Sequence, residues 1–441
     1  MNIAFEISPL ITASGSYGDK SGVYRYMYGL LSALIDKIKS SDNDDTITLF
    51  TFSPDLFSPS LNADIAKLID NKKVLILGYT DEYLLPKQNE NSIKDFFSIP
   101  LIKEPFRLIN KIFKIRTIYD KIRNKYKFLK YIAELTREFK KLDITTVIHS
   151  ETGFYYLQDF KNIITIYDMT TVIIPNLHRE ATCDLQSRKL NFAKQFCDGV
   201  IVISKSTKKD LKKYSEKFEA KKMVVAYPGM NKQLLSKSKG INEINKLLET
   251  HHNKLEKNKY LLYYGTFEPR KNIMSIVRAF SELYSDNKIP REMKLVLVGG
   301  KGWGNVKEDV VRFIEESSPD INKSPYIVID FLSDEYLASF IRNAYALLYP
   351  SLYEGFGLPV LEAMALGTPV ITSNISSLPE VGGDAVLYVK PKNYVDIKNK
   401  MEYLVNHPEV AKNLHTLGLK QSKKFSWDFA ATAVYNFIEE L

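Results

Sequence analysis

Short runs with no consistently polar face recur along the chain, separated by longer stretches of helical periodicity. IITIY at 163–167, VIVIS at 200–204 and MVVAY at 223–227 are of this kind. A strand without a wet face must be covered on both sides, which is the condition of a parallel sheet flanked by helices. Strand-type runs fall near 2–7, 46–52, 73–78, 145–149, 162–167, 199–204 and 223–227. A second set falls near 260–265, 293–298, 326–331, 345–349, 369–372 and 385–388. Helical patterns lie near 22–38, 106–141, 180–196 and 206–216, and helices separate the later strands as well. Pro228–Gly229 and the polar, Lys-rich stretch 231–258 read as a junction. The pattern predicts an α/β chain of two tandem Rossmann-like, doubly wound domains facing a cleft. Their predicted extents are 1–228 and 229–425, with an amphipathic helix at 426–441 packing back on the first. Sheets of this type bind ligands at the carboxyl ends of their strands.

Several chemistries are excluded at once. Cys183 and Cys197 form no CxxC pair, and the six histidines show no ligand spacing, so no metal site is expected. Two buried cytosolic thiols are the plain reading. No apolar run approaches the roughly 18 residues of a spanning helix. The opening MNIAFEISPL carries Glu6 inside its apolar stretch and reads as a strand, not a signal peptide. There is no P-loop lysine motif, and GGKGWG at 299–304 does not fit GxGxxG. Asp42-Asn43-Asp44 sits in the polar string SDNDDT and reads as a turn.

The net charge of +9 has one source. Residues 103–141 hold thirteen basic and four acidic side chains, a surplus equal to that of the whole chain. In the same segment Ile109, Ile112, Ile115, Ile118, Ile122, Tyr126, Leu129, Ile132, Leu135 and Phe139 recur three or four apart, as one core-facing helix stripe. Two readings stay open: a surface helix with a solvated basic face, or a basic amphipathic helix, 106–141, lying on an anionic membrane surface. Nucleic acid is not expected, because the aromatics follow the stripe and form no stacking platform.

The chemistry concentrates in three strings. In PSLYEGFGLPVLE (350–362) a strand runs into a Gly-rich turn that opens a helix near Leu358, with Pro359 suited to its first turn. Backbone N–H groups of Gly355, Phe356 and Gly357 are expected to point out of that helix start, toward an anionic or hydroxyl-rich ligand. Glu354 precedes the turn and Glu362 leans back toward it, so two carboxylates flank one site. In YGTFEPRKN (264–272) Gly265 is followed by Thr266, and Arg270 and Lys271 fall at a helix start, where the dipole disfavours cations unless an anion is near. A bound diphosphate would supply one. In SPLITASGSYGDKSGVYRY (8–26), Gly15, Gly18 and Gly22 precede or open a helix and let backbone approach a phosphate.

Together these strings resemble the retaining glycosyltransferases of family 4, which have the GT-B fold. The resemblance covers nearly the whole chain and is strongest over 259–390. Its most specific element is the Glu-x7-Glu pair, Glu354 and Glu362, supported by GTFEPRKN, LVLVGGKGWG, IVISKSTKKDL and LPEVGGDA. It implies that Glu354 holds donor-sugar hydroxyls, Glu362 the ribose, Lys271 the leaving diphosphate, and that Gly22 brings backbone close to that diphosphate. It implies retention of configuration and a nucleotide-sugar donor, with no metal and no further cofactor. The GTxEPRKN form is most similar to members that transfer mannose from GDP-mannose into bacterial surface polysaccharides. The acceptor is then a glycan or lipid-linked glycan. The location is cytoplasmic, peripheral at the inner face of the plasma membrane if the basic helix docks there. Two departures stand out. Arg270 is extra, in place of the arginine that many members carry directly after the glycine, and is expected to act with Lys271. Tyr167 stands where the family often has His, followed by Asp168, which leaves Asp168 as the N-terminal candidate. Two alternatives remain: a nucleotide-sugar epimerase or hydrolase, and a non-catalytic subunit supporting a partner transferase.

Overall fold

The computed structural model describes residues 1–12, 22–40, 43–52, 63–69, 73–77, 107–230, 239–249, 254–318, 320 and 324–441, without the side chains of 63–64 and 107–122. Gly15 and Gly18 lie outside the described residues.

Among the described residues, thirteen strands form two sheets. The first holds β1 (Asn2–Glu6), β2 (Thr46–Phe50), β3 (Val74–Ile76), β4 (Thr146–His149), β5 (Lys161–Ile166), β6 (Gly199–Val202) and β7 (Lys222–Val225), in the order β3-β2-β1-β4-β5-β6-β7. The second holds β8 (Tyr260–Tyr264), β9 (Lys294–Val298), β10 (Tyr326–Ile329), β11 (Ala346–Tyr349), β12 (Val370–Ser373) and β13 (Leu387–Val389), in the order β10-β9-β8-β11-β12-β13. Pairing is parallel, as in β8 with β9 and with β11. Strands β8 and β11 are buried along their whole length, so their sequences are apolar throughout. Both domains are therefore Rossmann-like. Each sheet reverses its strand order once, at β1/β4 and at β8/β11. At such a reversal the loops leaving the two carboxyl ends part to opposite faces and leave a crevice.

By contacts the chain groups differently from its sheets. One compact unit is Met1–Asp19 with Ile38–Ile163, and the other is Lys20–Lys37 with Ile164–Leu441. The N-terminal part of the Gly22–Ser40 helix thus belongs with the second unit. So does the C-terminal helix Trp427–Glu439, which lies against β7 and sets Trp427 edge-on to Tyr26 at 5.6 Å.

In the first unit the basic helix runs from Arg107 to Lys141. Ile132, Leu135 and Phe139 enter a core with Phe50, Phe52, Val147 and Phe160. Tyr126 and Leu129, read from the sequence as part of the same core-facing stripe, are instead exposed at 70% and 45%. The reason is length. A helix of 35 residues is about 50 Å long, whereas strands of five residues span about 17 Å. The strands end before the helix does.

Candidate functional site

The sheet order places the two informative loops side by side. Strands β8 and β11 are neighbours at the reversal, and residues 265–272 and 350–357 leave their carboxyl ends. Pro269–Lys271 forms a single 3-10 turn, and Asn272 (φ 60°) then turns the chain into the helix Ile273–Ser285. Arg270 and Lys271 therefore sit one turn before that helix and not at its start, which corrects the expected position. The anion that offsets their charge is a carboxylate of the chain. Arg270 Nη1 lies 3.0 Å and Lys271 Nζ 2.7 Å from the two oxygens of Glu354. Glu268 takes Arg270 Nε at 3.0 Å, and Lys271 also donates to the Tyr349 hydroxyl.

Lys271 and Glu354 are buried, Arg270 and Glu268 half-buried, and burial sets the electrostatics of the cluster. Burial alone would raise the Glu354 carboxyl, but Arg270 and Lys271 outweigh it and hold it down at about 2. Burial and the neighbouring guanidinium push the Lys271 ammonium below its ordinary value. Arg270 is pushed down by burial and up by Glu354 and Glu268, and the carboxylates prevail.

The turn after β11 is shaped by three close fits. Gly357 has φ 109°, in the left-handed region that favours glycine, and caps the helix Leu358–Ala365. A Cβ at Gly355 would lie 2.3 Å from the Tyr167 carbonyl oxygen and 2.8 Å from the Asp168 Cβ. The close approach of Tyr167–Asp168 thus accounts for that glycine. Phe356 is buried edge-on to Phe425 at 5.5 Å. The N–H groups of Gly355, Phe356 and Gly357 donate to no acceptor among the described residues. Asp168 accepts from Thr170 N at 2.9 Å and lies close enough to raise Arg270.

Glu362 lies on the same short helix, also buried. Its Oε1 accepts from Arg25 Nη1 at 2.9 Å and its Oε2 from the Tyr264 hydroxyl at 2.7 Å. Burial raises its pKa, and Arg25 and Tyr264 oppose the rise. Gly22 opens the helix that carries Arg25, and a Cβ there would meet nothing within 4 Å. Packing within the protein therefore sets no requirement for glycine at 22. Thr266 is exposed on the β8 loop, its carbonyl accepting from the Tyr263 hydroxyl at 3.1 Å.

The structure thus brings Glu354, Arg270, Lys271, Asp168 and residues 355–358 together, with Glu362 on the same helix. Sequence reasoning missed Arg25, Tyr264, Tyr349 and His178. His178 stacks on Trp303 at 6.2 Å and lies within electrostatic range of Asp168, Arg270 and Glu268. Arg25 had a legible signal: it stands one turn after Gly22. Tyr264 and Tyr349 had none, because a strand tyrosine is ordinarily core. Tyr167 is buried, edge-on to Tyr26 at 5.5 Å, with Lys189 Nζ 4.7 Å from its ring centre.

Residues 246–421 match the family described as Glycosyl transferases group 1. The O-antigen chain mannosyltransferase B of Escherichia coli is 37% identical over 177 residues, 40% of this chain and 45% of that protein. The match thus spans less than half the length of this curated relative. The sucrose-phosphate synthase of Thermosynechococcus elongatus superposes with TM-score 0.62 at 19% identity, over 100% of this chain and 98% of its own. Anabaena HepE, solved with UDP and glucose, gives 0.60 at 14% identity over 100% of both chains. At these identities the two solved structures bear on the fold alone. Taken with the strand orders, they show a GT-B fold, in which residues 246–421 match the glycosyl transferases group 1 family.

Proposed function

We propose that the chain is a retaining hexosyltransferase. It moves a hexose from a nucleotide-sugar, GDP-mannose favoured, to a glycan or lipid-linked glycan in cell-surface polysaccharide synthesis. The observation that carries this is the meeting of Glu354, Arg270 and Lys271 at the β8/β11 reversal, with Glu362 eight positions further along the chain. Breaking a sugar–diphosphate bond builds negative charge on the diphosphate, and fixed cations aimed at that charge lower the barrier. Arg270 and Lys271 are such cations, held in place by Glu354 before any ligand arrives. The unused N–H groups of 355–357 suit an anionic or hydroxyl-rich group at the same place. Glu354 then accepts sugar hydroxyls, Glu362 accepts the ribose, and Gly22 leaves room for the diphosphate. No metal or further cofactor is invoked. The mannose preference is supported by the EPRKN string and by likeness to a mannosyltransferase of O-antigen chains.

A thermal-shift screen against GDP-, UDP-, ADP- and TDP-sugars tests the donor site. A ligand that binds only the folded chain stabilises it by about 2.7 kcal/mol at a hundred times its Kd. One nucleotide class is expected to raise the Tm of the wild type, and Glu362→Ala to lose the shift. No shift with any of the four would count against the proposal and favour a non-catalytic subunit.

Docking to an anionic membrane is part of the same proposal. It is supported by exposed Tyr126 and Leu129 lying between exposed Lys125, Lys127 and Lys130. Each lysine near an anionic surface contributes about 1 kcal/mol at moderate salt. Reversing the three to Glu is expected to weaken sedimentation with phosphatidylglycerol vesicles by more than about a hundredfold. Equal sedimentation of variant and wild type would remove the membrane from the account.

A further inference from the structure

Glu362 is closed to a ligand by the groups that cover it. Arg25 donates to one and Tyr264 to the other, at 2.9 and 2.7 Å, and the carboxylate side chain is 3% exposed. A vicinal diol donates two hydrogen bonds, and the lone pairs left on so buried a carboxylate are out of its reach, so in the proposed donor site it must displace one of these partners. The two are not equally fixed. Tyr264 is the last residue of β8, is 5% exposed, and cannot withdraw without breaking the sheet edge of the site. Arg25 projects from the first turn of the Gly22–Ser40 helix with its side chain 29% exposed. Its other amino group, Nη2, reaches Asp334 at 3.4 Å, a surface carboxylate 54% exposed. The guanidinium can therefore leave Glu362 and remain paired at the surface.

Resting on the proposed donor site, we infer that Arg25 holds the place of the nucleotide ribose on Glu362, so that the ion pair opens when a nucleotide enters. Arg25 satisfies a carboxylate that would otherwise be buried without a cation, which is costly. It also sets the affinity of the empty site for ribose. The contact selects against nucleotides lacking the diol less strongly than a bare carboxylate would, because each ribose must first displace the arginine.

Calorimetric titration at pH 8 tests this. The probes are GDP, UDP and ADP, each beside its 2′,3′-dideoxy counterpart, on the wild-type full chain, Arg25→Met and Arg25→Lys. Arg25→Met is expected to tighten ribonucleotide binding by about tenfold, the worth of one hydrogen bond to a charged group, and to leave the dideoxy compound unchanged. Arg25→Lys, which keeps the charge and the fold, falls between. In a Glu362→Ala background the Arg25 substitution changes neither. If Arg25→Met weakens both compounds alike, Arg25 binds the diphosphate and the inference is overturned. An unchanged ratio of the two affinities in both Arg25 variants overturns it as well, while leaving the donor site standing. A wild-type chain that melts normally and binds none of the three nucleotides overturns the donor site and the inference together.

Discussion

Glu354→Gln is expected to abolish the proposed hexose transfer and to lower the Tm together, because one carboxylate would serve both. In the wild type it offsets the buried Lys271 at 2.7 Å and the half-buried Arg270 at 3.0 Å. Removing one member of a buried ion pair costs about 3–5 kcal/mol, chiefly by leaving the partner charged and unpaired. Denaturant unfolding is expected to show a loss of that order. Adding Lys271→Met removes one stranded cation, so the double variant is more stable than Glu354→Gln alone. If the two losses add, the pair does not act as a unit. The same carboxylate predicts acid sensitivity. Its folded pKa, about 2, lies below the ordinary 4.5, so its contribution is complete above pH 4.5 and is lost as pH falls toward 2.

Glu6 predicts the opposite dependence, in the first unit. It ends β1 beside the other strand reversal and is wholly buried. A Cβ on Gly153 would lie 2.3 Å from its carboxyl carbon, so there is no room for water on that side. Its Oε1 accepts from Ser8 N at 3.1 Å, and Oε2 has no hydrogen-bond partner among the described residues. Burial lifts the carboxyl from 4.5 to about 7, against hydroxyl and backbone donors that pull it down. The folded state therefore holds a proton that the unfolded chain releases between pH 4.5 and 7. Stability is fully present below pH 4.5 and falls by about 3 kcal/mol as pH rises through 7. Glu6→Gln keeps an acceptor for Ser8 and removes the charge. The difference in unfolding free energy between variant and wild type is expected to grow in the variant's favour from pH 5 to pH 8. Parallel curves would show that Glu6 stays neutral or finds a partner.

Much of this was legible in the residues. Strands apolar on both faces specify a covered parallel sheet, whatever their order. Two sets of them split by a Pro-Gly break specify two sheets. The Gly-rich turn EGFGLP specifies a helix start, and a glycine at 357 with φ 109° is what that turn needs. Glu354, Glu362, Arg270 and Lys271 could be read as a site because each follows a strand of the second set at its carboxyl end. Local pattern carries that much because it depends on neighbours a few positions away.

What the sequence could not determine was partnership across long separations. That Glu354 neutralises Arg270 and Lys271, more than eighty positions earlier, follows from β8 and β11 being adjacent at the order reversal. That Arg25 covers Glu362, 337 positions away, follows from the Gly22–Ser40 helix lending its first turns to the second unit. The periodic stripe of the basic helix continues past the sheet that could bury it, so Tyr126 and Leu129 are wet while Ile132 and Phe139 are dry. Periodicity records which residues share a face. Only the tertiary structure decides whether anything lies against that face, because burial depends on elements that chain distance does not bring near.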